Sequence, residues 1–395
     1  MARGTDRAPL SVVRGWRGRE MEPVDSEREE VVSTMRFEKM LVSREPYEAA
    51  AVCDVDRDGI LDIVSGSWWY RGPDFRQRFP LDELTKVGET WDDFSAIPID
   101  VNGDGFLDVI KCGWFSGDLV WLENPRGQWD KCWQRHMIAQ CGHIETVRAW
   151  DIDGDGDVEI VPNTPEGPLR AFKLKKDGAG RGRGEFTELV LWEGRCGHGL
   201  GFGDMNGDGR GDIVLSRGWL ERRAHDSGLW AFHAGPDLGL ASVEIVVADV
   251  DNDGIVEVVS GYAHDYGLYY WKPEGGDVYG DRWHRVAVDP YCSQYHDVQW
   301  HDIDGDGRGE IVTGKRYMAH DGGRDPGSYD PVGLYSFKWS GEGLVKEVID
   351  FGEPDCASGC GIQFAVADLE GMGALSIVAP GKEGLYVFRN TGLLD

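Results

Sequence analysis

Six short stretches place oxygen-bearing side chains at their first, third, fifth and ninth positions, with Gly at the sixth. In chain order the four residues are Asp54, Asp56, Asp58 and Asp62; Asp100, Asn102, Asp104 and Asp108; Asp151, Asp153, Asp155 and Glu159; Asp204, Asn206, Asp208 and Asp212; Asp249, Asp251, Asp253 and Glu257; and Asp302, Asp304, Asp306 and Glu310. This alternation lets a short backbone wrap a hard cation in oxygen ligands, and calcium at up to six structural sites is the expectation. An EF-hand would need Glu at position twelve, where this chain has Ser65, Lys111, Pro162, Leu215, Ser260 and Thr313. A seventh stretch, DLEGMGALSIV from residue 368, keeps the frame but lacks the third and last oxygens.

A second pattern emerges six residues before each stretch, where Glu48, Phe94, Glu145, His198, Val243, His296 and Ile362 stand in turn. His143 lies two residues before Glu145. Histidine and carboxylate suit a divalent transition metal, zinc or manganese, and Glu48, His143, Glu145, His198 and His296 form the candidate set. A hydrogen-bonded polar plug is the alternative reading of the same residues.

These positions need a scaffold that repeats with the loops. The stretches begin at residues 54, 100, 151, 204, 249, 302 and 368, a period of 45 to 66 residues that suits propeller blades rather than helical solenoids. An apolar run enters each loop and a β-branched run leaves it, as in DIVSG, DVIKC and EIVTG. Further strands follow, such as DLVWLENP and WQRHMIA. The expected fold is all-β: a seven-bladed β-propeller of four-stranded antiparallel blades. The seventh unit ends after its third strand, GLYVFRN, so MRFEKMLVSR at 35 to 44 is expected to supply its outer strand and close the ring. Residues 1 to 32 then form a tail, expected to be disordered, and 33 to 395 the propeller.

The first and second strands of a blade meet at the acidic turn, so the start of one and the end of the other share the opposite face. On that face the sequence places Trp68, Trp69, Trp114, Trp219 and Tyr262, with Arg217, His264, Lys315, Arg316, Tyr317 and His320. Aromatic rings beside placed polar groups suit a sugar. A long insertion, KRYMAHDGGRDPGSYDPVG, belongs to the same face.

With 395 residues and 41% hydrophobic content the chain can bury a sizeable core. Its net charge of −29, much of it in the acidic loops, argues against nucleic-acid and anionic-membrane partners. No long apolar run or signal-peptide pattern is visible, so a cytoplasmic address is the default expectation. The eight cysteines lack CxxC spacing and read as thiols.

The acidic loops resemble FG-GAP or VCBS-type repeats of integrin-like propellers. The segments GHGLGFGDMNGDGRGDIV, SRGWLE and HDVQWHDIDGDGRGEIVTGKRY are similar to the propeller domain of the aldos-2-ulose dehydratase family, though the cupin and lectin-like parts of that family are missing. The resemblance implies a metal-dependent carbohydrate lyase or dehydratase that eliminates water or a glycosyl group beside a sugar carbonyl. That chemistry needs a cation, a base and an acid, and the expected allocation makes His198, His296 and Glu145 the metal ligands, completed by His143 or Glu48. His264, Tyr317 or His320 would be the acid or base, and Arg217 or Lys315 would neutralise developing charge. Trp68, Trp69, Trp114, Trp219 and Tyr262 would bind the small carbohydrate substrate. The competing reading is a non-catalytic, calcium-stabilised propeller that binds a glycan or protein. Oligomeric state has no signature in the sequence.

Overall fold

In the computed structural model, residues 35–223 and 228–393 are described, and the expected N-terminal tail lies outside them. Among the described residues the regular structure is β, apart from one 3-10 turn at Glu274–Gly276, and no helix is long and apolar enough to cross a membrane.

The β-branched and aromatic runs pair into four-stranded antiparallel units. In the first, Ala50–Cys53, Asp62–Ser65, Trp68–Arg71 and Gln77–Pro80 lie side by side in chain order. The same order recurs from Ser95–Ile99 to Gln134–Gln140, from Thr146–Trp150 to Gly182–Trp192, and from Tyr295–His301 to Leu344–Gly352. Two further units, starting at Leu200–Gly203 and Glu244–Ala248, are joined into an eight-stranded sheet by parallel pairing of those two strands. In the last unit, Ala365–Ala367, Ser376–Gly381 and Gly384–Leu393 take their outermost partner from the other end of the chain, Met35–Ser43, through pairs such as Lys39 with Phe388.

Apolar side chains on both faces of each unit bury between neighbouring sheets, so the core is a series of layers. Val64 and Trp69 of the first unit pack with Val109 and Leu122 of the second. Ile303 and Val312 of the sixth pack with Ile377 and Phe388 of the seventh. Ala50, Ile63 and Tyr70 of the first pack with Val378, Leu385 and Val387 of the seventh, and Ala49 bridges Gln363 in parallel.

Each acidic stretch is the turn between the first and second strands of its unit. Its sixth-position glycine sits at a φ between +82° and +93° in all seven, a left-handed conformation that a side chain disfavours.

Candidate functional site

The residues six places before the acidic loops lie at or just before the first strands of their units, and three of them, Glu145, His198 and His296, meet, with Glu48 linked to them through Arg316. Glu48, Glu145, His198 and His296 are 3%, 5%, 7% and 0% exposed. One oxygen of Glu145, Oε1, lies 3.3 Å from Nε2 of both His198 and His296. His264, which follows the strand Glu257–Gly261, joins them, and its ring centre is 5.2 Å from that of His198 and 5.4 Å from that of His296.

Arg316 ties this cluster to Glu48. Its Nε donates to Glu48 Oε1 at 2.7 Å and its Nη1 to His296 Nε2 at 2.8 Å. Glu48 is therefore paired with a buried guanidinium. Burial and the Arg316 charge push His296 well below the usual histidine range. Burial pulls His264 down to about 4 against the raising influence of Asp325. Burial would raise Glu145, yet its two histidine neighbours outweigh that and hold it well below the carboxylate range.

Several nitrogens in this buried cluster have no hydrogen-bond partner: both of His198, Nδ1 of His264 and Nδ1 of His296. The three rings bring one nitrogen each to within 4.8 Å of one another. A divalent transition metal fits this donor set, because imidazole nitrogens buried without donors or acceptors otherwise carry a desolvation cost.

Above the cluster opens a cavity of about 1200 Å³. Phe94, Trp114 and Phe115 form one wall, and Trp192, Phe232 and Leu240 line it elsewhere, with Arg195, Arg217 and Arg324 adding charge. The insertion contributes His320, whose Nδ1 is 2.9 Å from each oxygen of Asp325 and whose ring stacks on His264 at 4.4 Å. Asp325 also lies 3.6 Å from His264 Nδ1. Burial works against it, but the two imidazoles hold the Asp325 carboxyl far below its usual range.

Of the expected site residues, the structure brings Glu145, His198, His264, His320, Arg217, Trp114 and His143 to the cavity wall, with His296 buried beside it. His143 stands apart from the buried histidine cluster: it is exposed, stacked on Trp114 at 4.6 Å, with Nδ1 on the Trp114 carbonyl at 2.8 Å. Lys315 does not face the cavity; it is fully buried in the strand Glu310–Lys315, with Nζ 3.3 Å from the Arg316 carbonyl. Tyr317 is half-buried outside the cavity lining.

Trp69 and Trp219, expected to bind substrate, are 0% and 1% exposed core residues. Trp69 stacks on Phe79 at 4.5 Å, and Trp219 donates from Nε1 to the Val278 carbonyl at 3.3 Å. Trp68 packs in the core layer under the Arg78 guanidinium, and Tyr262 bonds Arg285 at 3.1 Å. The reason is the shortness of the turns: only Gly66 and Ser67 separate the second strand from Trp68–Arg71, and only Ser216 and Arg217 separate it from Gly218–Glu221. The tryptophans are thus strand residues. Asp325 was not singled out by sequence reasoning, since one acid within a loop holding several has no distinguishing spacing; its place in the long insertion was the available signal.

Position nine of each acidic loop also braces its turn. Asp62, Asp108 and Asp212 commit both oxygens to backbone amides, Asp62 to Val55 and Gly72 at 2.8 Å each. They buttress the turn. Glu159, Glu257 and Glu310 spend one oxygen in the same way and turn the other toward a lysine. The first loop still gathers Asp54, Asp56 and Asp58, with Arg71 Nη2 2.5 Å from Asp56.

The FG-GAP-like repeat family matches residues 100–162 and 151–215. No curated protein matches the sequence. Among solved structures, BBS1N from its complex with ARL6DN, in a lead-soaked crystal, is 13% identical over 92% of this chain and 100% of that one, with a TM-score of 0.53. The fold is a β-propeller. The exotype rhamnogalacturonan lyase YesX is 12% identical over 92% of this chain and 75% of its own, with a TM-score of 0.46. At 13% identity the likeness to BBS1N concerns the fold alone.

Proposed function

We propose that this propeller is a ring of seven four-stranded blades, closed by the N-terminal strand Met35–Ser43, and that it carries a metal-dependent carbohydrate lyase site at its axis. The observation that carries the reading is the set of three buried histidines and Glu145, with unpartnered ring nitrogens, under a cavity of about 1200 Å³. His198, His264, His296 and Glu145 would hold one zinc or manganese ion, which when bound polarises the carbonyl of a keto-sugar or keto-glycoside. The small carbohydrate stacks on the wall of Phe94 and Trp114 and meets Arg217 near the rim.

His320 is the proton carrier in this reading. Asp325 accepts from its Nδ1, which leaves the Nε2 lone pair free to take the proton α to the carbonyl. The C–H electrons form the new double bond as the β carbon–oxygen bond breaks, and His320 returns the proton to the departing oxygen. Arg316, fixed by Glu48, supplies a permanent positive charge beside the developing enolate.

The test is metal analysis of the purified protein together with a screen of keto-sugars for an absorbing enone product. About one transition-metal ion per chain, and a loss of about a hundredfold or more in turnover for His320→Ala with metal retained, are the expected results. Calcium as the sole bound metal would favour a binding-only propeller, and unchanged turnover in His320→Ala would remove the assigned role.

A further inference from the structure

The six acidic loops fall into two classes that their shared motif conceals. In the third, fifth and sixth, position nine is Glu and a lysine sits across the ladder from it. Glu159 pairs directly with Lys173. Lys272 and Lys338 each stand one step beyond the pairs Val258 with Trp271 and Ile311 with Phe337, which puts them opposite Glu257 and Glu310. In the first, second and fourth loops position nine is Asp, and the corresponding residues are Arg71, Glu123 and Glu221.

The lysines enter the place a cation would take. Lys173 Nζ lies 2.5 Å from Asp153, 2.7 Å from Asp155 and 3.0 Å from Glu159, the carboxylates of positions three, five and nine. Lys272 repeats this with Asp251 at 2.5 Å, Asp253 at 2.7 Å and Glu257 at 3.1 Å. Lys338 reaches Asp304, Asp306 at 2.8 Å and Glu310 at 3.9 Å. Lys173 and Lys338 donate to the carboxylates of positions three and five and Lys272 to that of position three, while the position-nine glutamates meet the ammonium as ion pairs.

We propose that Lys173, Lys272 and Lys338 are the resident cations of the third, fifth and sixth loops, so that these turns fold and hold without calcium. Calcium needs six to eight oxygens at about 2.3–2.6 Å, a shell that would have to form where the ammonium already stands. Each loop keeps two buried carboxylate oxygens without a hydrogen-bond partner, on Asp153 and Glu159, on Asp251 and Glu257, and on Asp302 and Glu310, still far short of such a shell. The longer Glu side chain explains the pairing of types. Asp at position nine has each oxygen accepting from a backbone amide, whereas Glu has only Oε2 so engaged and turns Oε1 toward the lysine. The inference concerns the scaffold and stands independently of the lyase reading.

Reductive methylation of the wild-type protein with formaldehyde and borohydride, followed by peptide mass mapping, tests it without any variant. Lys173, Lys272 and Lys338 should react several-fold more slowly than the exposed Lys131, and equally slowly in chelator and in millimolar calcium. Reaction as fast as Lys131 in chelator, or faster reaction once calcium is added, would mean that the ammonium does not hold the site and would overturn the proposal. Native mass spectrometry in calcium gives a second measurement. The Asp153→Asn, Asp251→Asn, Asp304→Asn triple variant should bind as many ions as the wild type, and a loss of up to three ions would overturn it.

Discussion

Asp325 lies 3.6 Å from Nδ1 of His264, so an acid from the long insertion backs a histidine that belongs to a different blade. A carboxylate behind a metal-binding histidine orients the ring and raises its basicity, and its removal commonly costs ten- to a hundredfold in metal affinity. Asp325→Asn should therefore weaken zinc binding by about that factor in a competitive chelator titration. It should also lower turnover further than the metal loss explains when zinc is saturating, because His320 loses its acceptor. Unchanged zinc affinity would separate Asp325 from the metal cluster.

The two classes of tryptophan should behave in opposite ways. Trp69, fully buried against Phe79 and Trp129, should cost about 3–5 kcal/mol of stability as Trp69→Ala in a denaturant titration while sugar binding by the folded protein stays unchanged. Trp114→Ala, on the cavity wall, should weaken sugar binding with a smaller stability loss. Equal loss of sugar affinity in both variants would contradict the assignment of Trp69 to the core.

Glu383 gives a pH signature. It is 7% exposed, with Oε1 accepting from Gly359 N at 2.6 Å and Oε2 unpartnered, and burial raises its carboxyl to about 7. The folded state then binds a proton more tightly than the unfolded state, so this contribution is fully present below about pH 4.5 and is lost as pH rises through about 7. Glu383→Gln should gain on the order of 1–3 kcal/mol relative to wild type at pH 8 and little at pH 4.5. Thermal melts across that range check it; an equal effect of the substitution at both values would exclude the linkage.

The position of the chemistry was legible because one count, six residues back from each acidic loop, samples equivalent places on successive first strands. It led to Glu145, His198 and His296, which meet in the structure. His264 and His320 were visible as candidates on the same face, but their convergence on Asp325 depends on how a loop of the fifth unit meets an insertion of the sixth. Spacing along the chain does not encode that approach.

Local pattern by itself determined the repeat, the strands and the acidic turns, because period-two apolar alternation and a glycine at positive φ are properties of consecutive residues. Tertiary structure alone decided which oxygens and nitrogens are spare. The Asp108 carboxylate accepts from the amides of Val101 and Asn124, the Glu159 carboxylate is shared with Lys173 from a neighbouring strand, and the His198 nitrogens are left without hydrogen-bond partners. A side chain's type fixes what it can donate or accept, but whether that capacity is already satisfied depends on atoms that only folding brings within about 3 Å.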